Sequence, residues 1–265
     1  MIVAALAALS AGCVVIEPHR HELDQHGFVF YVDGAGGGSV LTDWGRGFQE
    51  GLKLAGYPGE FRSFHWHTGL GVAADQAASV PYKRSRAGQL AREIRSYQDE
   101  HPGRPVHLVG LSAGTAVAVF ALEQLPEDHP VDRVVLLGSS LSSHYDVTTA
   151  MRRVRDRLYV YTSDKDAVLG TLVPLAGTAD REFCGACSAG LKGLHLPPRA
   201  DAETRGHYAK IENIAWKPEF TSAGNFGGHT DAVNPRFVRD YVAPMLLGQG
   251  PRFVDAGAQP HRQDG

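Results

Sequence analysis

The chain has 265 residues, which is enough for one α/β domain, or a domain with a short cap, and a large buried core. Apolar residues make up 43% and charged residues 21%, as is ordinary for a soluble globular protein. A formal net charge of −3 provides no basic surface for phosphates and therefore argues against a nucleic-acid partner.

The N-terminal segment is predicted to be a leader. Residues 1–16 contain no charged side chain and have the length of a signal-peptide core rather than of a membrane span. The stretch 9–13, LSAGC, resembles a bacterial lipobox, which predicts lipidation of Cys13, membrane attachment and export to the cell envelope. Its leucine stands one position early and no Lys or Arg precedes the run. A buried N-terminal helix or strand in a cytoplasmic protein therefore stays open as the alternative.

Beyond the leader, residues 17–27 are predicted as a linker and 248–265 as a flexible tail. Between them, β-type and helical patterns alternate. Strands are predicted over 28–32, 61–67, 106–109, 133–137, 158–161 and 211–216, and helices over 42–54, 87–100, 115–125, 145–155 and 235–247. This alternation predicts an α/β fold over 28–247, a three-layer α/β/α sandwich with a mostly parallel sheet of about six strands. Residues 167–208 break the rhythm and are predicted as a short insertion over the active site.

The strand at 106–109 leads into Gly110-Leu111-Ser112-Ala113-Gly114 and then into a helix. A serine hydroxyl must be presented outward to a base before it becomes a useful nucleophile, and a sharp strand-to-helix turn does this. Gly110 and Gly114 relieve the crowding at such a turn because they lack a Cβ atom. The pattern therefore predicts a nucleophilic Ser112, with Gly110 and Gly114 as the elbow glycines.

This segment closely resembles the nucleophile elbow of lipases and esterases in the α/β-hydrolase family, and the resemblance extends from about Phe28 to Leu247. It implies a catalytic triad in the chain order serine, acid, histidine, with no metal or organic cofactor. The acid should follow the strand at 158–161, where an aliphatic residue closely after the carboxylate favours Asp166 over Asp164. His229, after a glycine-rich loop and before the last helix, is the predicted base, and His207 is the alternative.

The loop Asp33-Gly34-Ala35-Gly36-Gly37-Gly38 stands where many lipases carry an oxyanion-hole motif. By position, the N–H groups of Ala35 and Ala113 are predicted to form the oxyanion hole, with Gly36 as the alternative to Ala35. A phosphate-binding loop is the competing interpretation. Its G-x-G-x-x-G spacing fails, because Ser39 occupies the third glycine position.

Two further motifs carry weaker signals. Cys184 and Cys187 form a CxxC pair without the second pair that a zinc site needs, so an exported chain would make them a local disulfide. His65 and His67 stand on a predicted strand as His-x-His, but no third ligand is evident and no metal site is predicted.

The function expected from these features is cleavage of a carboxylic ester or lipid-like acyl substrate through an acyl-enzyme on Ser112. A thioesterase or an acyltransferase would use the same residues. A catalytically silent envelope binding protein is the alternative from another class, and it predicts a displaced acid or base, or a site filled by residues 167–208. Nothing in the sequence indicates an oligomeric state.

Overall fold

The computed structural model describes residues 23–38 and 42–249 of the chain. The predicted leader and Cys13, most of the predicted linker and nearly all of the predicted tail lie outside these residues. Within the described ranges, no helix combines the length and the apolarity needed to cross a lipid bilayer.

The described residues contain one six-stranded sheet. Its strands are β1 (Phe28–Val32), β2 (Glu60–Phe64), β3 (Val106–Leu111), β4 (Val131–Leu137), β5 (Val154–Thr162) and β6 (Ile211–Ala215). They lie in the order β2-β1-β3-β4-β5-β6, and every neighbouring pair is parallel. The predicted parallel sheet of about six strands is therefore confirmed.

Both faces of the sheet are buried, because successive side chains of a strand point to opposite faces. In β1, Phe28 and Phe30 belong to one apolar core, whereas Val29 and Tyr31 belong to the core on the other face. Each core needs a layer of helices to cover it. The three-layer sandwich follows from this double burial.

The helices that form the layers are α1 (Trp44–Leu54), α2 (Val72–Ala77), α3 (Val80–Glu100), α4 (Gly114–Gln124), α5 (Thr148–Met151), α6 (Val173–Ala176), α7 (Ala189–Lys192) and α8 (Ala202–Tyr208). A C-terminal helix runs through Pro235–Phe237, a π-helical Val238–Val242 and Ala243–Leu246. Phe48 of α1 and Phe237 of the C-terminal helix pack in the same core as Val29. Leu90 of α3 and Val117 of α4 pack in the opposite core with Phe28.

Several predicted boundaries are wrong. The strand predicted over 61–67 ends at Phe64, so His65 and His67 lie beyond it, and two helix boundaries differ for identifiable reasons. The helix predicted over 145–155 is helical only in α5, because Val154 already pairs with Val131 of β4 and starts β5. The helix predicted from residue 87 begins at Val80, because the Ser79 side chain accepts a hydrogen bond from Tyr82 N and caps an earlier start. In the first case, strand pairing in the sheet overrides the helical pattern. In the second case, a local cap starts the helix earlier than the apolar pattern indicates.

The strand order reverses at β1, which has β2 on one side and β3 on the other. In open parallel sheets, the loops beyond the carboxyl ends of the strands separate at such a point and leave a crevice. Here these loops are 33–38, after β1, and the Ser112 turn, after β3. The fold therefore brings the predicted oxyanion loop and the predicted nucleophile to the same edge.

Candidate active site

The turn between β3 and α4 holds Ser112 in a left-handed backbone conformation with φ of 51°. Residues other than glycine rarely adopt this backbone conformation, so the surrounding structure must enforce it. A Cβ atom at Gly110 would lie 2.8 Å from Thr115 Cα, and one at Gly114 would collide with the Asp33 carbonyl. A side chain at either Gly110 or Gly114 would therefore collide with the backbone around Ser112.

The side chains of Ser112, His229 and Asp166 form a continuous hydrogen-bonded chain. His229 Nε2 lies 2.8 Å from Ser112 Oγ, and His229 Nδ1 lies 2.7 Å from Asp166 Oδ2. A carboxylate only accepts, so Nδ1 carries the proton, and in the neutral ring Nε2 accepts from the Ser112 hydroxyl. The imidazole is thus in the tautomer that a general base needs.

The loops that carry Asp166 and His229 are also held by hydrogen bonds other than those that link these residues to each other and to Ser112. Asp166 is buried, and its second oxygen accepts from Leu169 N at 2.9 Å. Ser163 Oγ donates to the Gly227 carbonyl at 2.7 Å and so ties the acid loop to the base loop. These contacts hold the carboxylate and the imidazole in register.

The alternative acid and base lie elsewhere. Asp164 is exposed on the turn after β5, and it is Asp166 that binds His229 Nδ1. His207 lies in α8, where its Nε2 is 3.5 Å from Glu203. Of the predicted candidates, the structure brings together Ser112, Asp166 and His229.

The loop after β1 lies against the Ser112 turn. The N–H groups of Ala35 and Ala113 donate no hydrogen bond to any described residue, although both residues are buried. Gly36 N, the alternative donor, is already bound to Asp75 Oδ2 at 2.8 Å. Of the two predicted candidates in this loop, Ala35 is the one whose N–H is uncommitted.

Sequence reasoning missed the residues that hold this loop. Asp75 is buried in α2 and accepts from Gly36 N and from Thr68 N and Oγ1. Trp66 Nε1 donates to the Asp33 carbonyl at 2.7 Å, and His67 Nε2 lies 2.8 Å from the Gly34 carbonyl. The one available signal was a lone carboxylate in the otherwise uncharged stretch of α2, VAADQA.

Asp33 gives the same loop a buried carboxyl group. Its Oδ1 accepts from Gly34 N at 2.9 Å and from the Tyr31 hydroxyl at 3.3 Å, while Oδ2 has no partner among the described residues. Burial raises the pKa of Asp33 from 3.8 to about 6, the hydrogen bonds opposing this only in part. The charge of this group therefore changes in mildly acidic solution.

No protein-family model and no curated protein matches the sequence. Solved structures do match its fold. A poly(3-hydroxybutyrate) depolymerase, LpqC from Bordetella parapertussis, superimposes with a TM-score of 0.51 and 12% identity, over 87% of this chain and 82% of that one. A lipase-esterase related protein from Clostridium acetobutylicum gives 0.48 and 9% identity, over 84% and 94%. A cutinase-like protein from Cryptococcus sp. gives 0.44 and 16% identity, over 85% and 96%.

The match to the Bordetella structure covers most of both chains. The chain has the α/β-hydrolase fold. At such low identity the likeness establishes the fold, while the chemistry has to be derived from the site.

In this α/β-hydrolase fold, Ser112 and His229 lie in a cleft of about 830 Å³. Gly34 and Ala35 of the loop 33–38 line it, and so does Trp44. One wall is α2, and the other is the segment 168–176, which comprises a π-helical turn and α6. The predicted insertion over 167–208 thus contributes one wall of the cleft.

The CxxC pair and the His-x-His pair contribute no hydrogen bond to Ser112, Asp166 or His229 in the described part of the chain. Cys184 and Cys187 are joined by a disulfide. His65 and His67 lie just after β2 with their ring centres 6.4 Å apart. In the described part of the α/β-hydrolase fold, no three His, Cys, Asp or Glu side chains are grouped to hold a metal ion.

Proposed function

We propose that the protein is a serine hydrolase that cleaves a carboxylic ester through an acyl-enzyme on Ser112. The observation that carries this proposal is the hydrogen-bonded chain from Ser112 through His229 to Asp166, at the edge of an open cleft. All three residues follow in the chain order that the fold requires.

The first chemical step is attack by Ser112. His229 Nε2 takes the hydroxyl proton as Oγ bonds to the acyl carbon, and the imidazolium that forms is stabilised by Asp166. Because Asp166 is buried and bound at both oxygens, it holds the ring without its own reorganisation. The neutral tautomer described above is the reactive one.

The carbonyl oxygen becomes an oxyanion in this step and needs hydrogen-bond donors. The uncommitted N–H groups of Ala35 and Ala113 are assigned this role, each lowering the barrier by roughly 3 kcal/mol. His229 then gives its proton to the leaving oxygen, and the bond from that oxygen to the acyl carbon breaks. Water, deprotonated by His229, then attacks the acyl carbon. The bond from this carbon to Ser112 Oγ breaks, His229 returns the proton to Oγ, and the acid is released.

The alternative of a silent binding protein requires a displaced acid or base, or a filled site. Hydrogen-bond distances of 2.7 and 2.8 Å and the open cleft favour an active enzyme. A thioesterase or acyltransferase needs the same three residues. The products therefore decide between these activities and ester hydrolysis.

The test is hydrolysis of p-nitrophenyl butyrate by the purified protein and by Ser112→Ala. Loss of the nucleophile should lower kcat by about 10⁶-fold, to below detection. Mass spectrometry should find free butyrate in water, with butyryl transfer to an added alcohol as the minor product.

The matched control is Ser140→Ala. Ser140 is buried close to the elbow, and its hydroxyl has no partner among the described residues, while its N–H donates to the Ser112 carbonyl. This variant should keep its kcat. Equal activity of Ser112→Ala and the wild type would overturn the proposal, as would transfer without release of acid.

A further inference from the structure

The walls of the cleft differ from the rest of the site in their chemistry. None of the described lining residues carries a carboxylate, ammonium or guanidinium group, and both walls consist mainly of Val, Leu and Ala. A charged substrate group would lose hydration here without finding a group of opposite charge. The walls therefore select an uncharged, apolar group.

Several of these apolar side chains are exposed to solvent when the cleft is empty. Val72 of the α2 wall is 57% exposed, and Leu172 and Leu175 of the opposite wall are 57% and 81% exposed. Contiguous exposed apolar surface of this kind marks a binding groove. Because it is continuous with Ser112, the group that it covers belongs to the molecule that Ser112 attacks.

Each wall starts beside the catalytic groups. Val72 packs against Gly36 of the oxyanion loop, so a Cβ atom at Gly36 would collide with it. The opposite wall begins two residues after Asp166, and Leu169 N donates to that carboxylate. An acyl chain leaving the carbonyl carbon at Ser112 therefore enters directly between the walls.

The walls are joined at their C-terminal ends. Gln76 Nε2, on α2, donates to the carbonyl of Gly177, directly after the opposite wall, at 3.3 Å. Lys83, fully buried, reinforces this bridge by donating to the carbonyls of Gln76 and Ala179, each at 3.0 Å. Gln76 also lines the cleft, so the bridge limits how far a bound chain can extend.

We infer that the cleft binds the acyl part of the ester as an uncharged aliphatic chain whose length is limited by Gln76. This inference rests on the proposed function of Ser112. A volume of about 830 Å³ is within the range of pockets that enclose a whole small molecule, so acetyl or butyryl groups leave most of it unfilled.

The experiment measures kcat/KM for p-nitrophenyl acetate, butyrate, octanoate, laurate and palmitate. For the wild type, kcat/KM should rise by about tenfold or more from butyrate to octanoate, because each additional methylene that is buried between the walls stabilises the bound state. It should then fall for the chains that pass the Gln76 bridge.

Two variants should move the acyl chain length with the highest kcat/KM in opposite directions. Gln76→Ala removes the bridge and should raise the ratio of kcat/KM for palmitate to that for octanoate at least fivefold. Ala73→Phe places a ring on the exposed face of the α2 wall and should lower the ratio for octanoate to butyrate at least fivefold. Since Ala73 is exposed, this variant remains informative if Gln76→Ala does not fold.

Each variant has a matched control. Gln98→Ala removes an amide that also donates to a carbonyl of another segment, that of Pro130 at 2.8 Å, away from the cleft. Ala202→Phe adds a ring to an exposed alanine at the start of α8. Both controls should keep the wild-type chain-length profile.

The inference is overturned if acetate is the best wild-type substrate, or if both cleft variants keep the wild-type profile. In either case, hydrolysis that disappears in Ser112→Ala leaves the proposed function standing. If the wild type cleaves no ester and a fluorophosphonate does not label Ser112, the proposed function fails and the acyl-chain inference fails with it.

Discussion

The position of one proton decides whether Ser112 can react. Asp166 accepts from His229 Nδ1 and thereby leaves Nε2 free to accept from the serine hydroxyl. An amide in place of this carboxylate would donate to Nδ1 and force the proton onto Nε2. The carboxylate therefore selects the tautomer as well as stabilising the imidazolium.

Asp166→Asn is predicted to lower kcat by about 10⁴-fold while the protein stays folded, because the variant holds the wrong tautomer. The measurement is kcat on p-nitrophenyl butyrate, together with Tm. Asp164→Asn, two residues earlier and exposed, is the control and should retain its kcat. The reverse result, a large loss in Asp164→Asn alone, would reassign the acid.

Asp75 acts on the oxyanion loop through Gly36 and not on the reacting atoms. Asp75→Ala should lower kcat by roughly 100-fold with a small change of KM, because a loop displaced by about 1 Å misplaces the Ala35 N–H. Asp75→Asn retains an oxygen acceptor and should lie between this variant and the wild type.

The control for Asp75 is Asp201→Ala. Asp201 also accepts a backbone N–H, that of Thr204 at 2.7 Å, but it caps α8. This variant should lose stability and keep kcat. If Asp75→Ala did the same, Asp75 would have only a structural role.

Among the secondary-structure segments, α1 and the C-terminal helix come into close contact at Gly51. A Cβ atom at Gly51 would collide with Val238 and lie 2.8 Å from the Pro235 carbonyl. This contact closes the helical layer that covers the core containing Val29 and Tyr31. Glycine is therefore a packing requirement at this position.

Gly51→Ala is predicted to destabilise the protein by about 1–3 kcal/mol through overpacking. Gly206→Ala, in α8 with open space around it, should instead stabilise by about 0.5–1 kcal/mol, because alanine favours the helix. Urea unfolding of both variants measures the change in the free energy of unfolding, which should be a decrease for Gly51→Ala and an increase for Gly206→Ala. A stable Gly51→Ala would mean that the two helices can separate at little cost.

Whether a feature depends on adjacent or on distant residues explains how far the sequence could predict it. The Ser112 turn is encoded by adjacent residues, and chain order then leads to Asp166 and His229, which the structure brings within hydrogen-bond reach. The role of Asp75 depends on Gly36, 39 positions away, and no local pattern contains that contact.

Boundaries failed where a tertiary contact overrode a local pattern. Residues 145–155 have a helical pattern, yet Val154 is drawn into the sheet beside Val131. Residues 167–208 were predicted as an insertion over the active site, but no local pattern indicated that 168–176 would form a wall of the cleft. Its place in the cleft depends on the Gln76 bridge, which joins segments 101 positions apart.

For the folded chain as one unit, the buried carboxyl of Asp33 couples stability to pH. Its pKa is about 6 in the folded protein, against the ordinary aspartate value of 3.8 that applies to the unfolded chain. Between these pH values the folded state binds more protons than the unfolded state, so this group lowers stability as pH rises. The loss is complete above pH 6 and amounts to about 3 kcal/mol.

Asp33→Asn should therefore gain stability relative to the wild type as pH rises from 4 to 7. Burial lowers the pKa of His107 to about 4, which gives a contribution of opposite sign, but it is common to both proteins and cancels in the difference. The measurement is the free energy of unfolding against pH. A constant difference would show that Asp33 does not titrate in this range.

Labelling by a fluorophosphonate tests the central claim most directly, because it requires an activated serine but no knowledge of the substrate. Mass spectrometry and peptide mapping of the labelled protein should find one adduct, on Ser112, and none in Ser112→Ala. No adduct on the folded wild type, or an adduct on another residue that persists in Ser112→Ala, would contradict the assignment of Ser112 as the nucleophile.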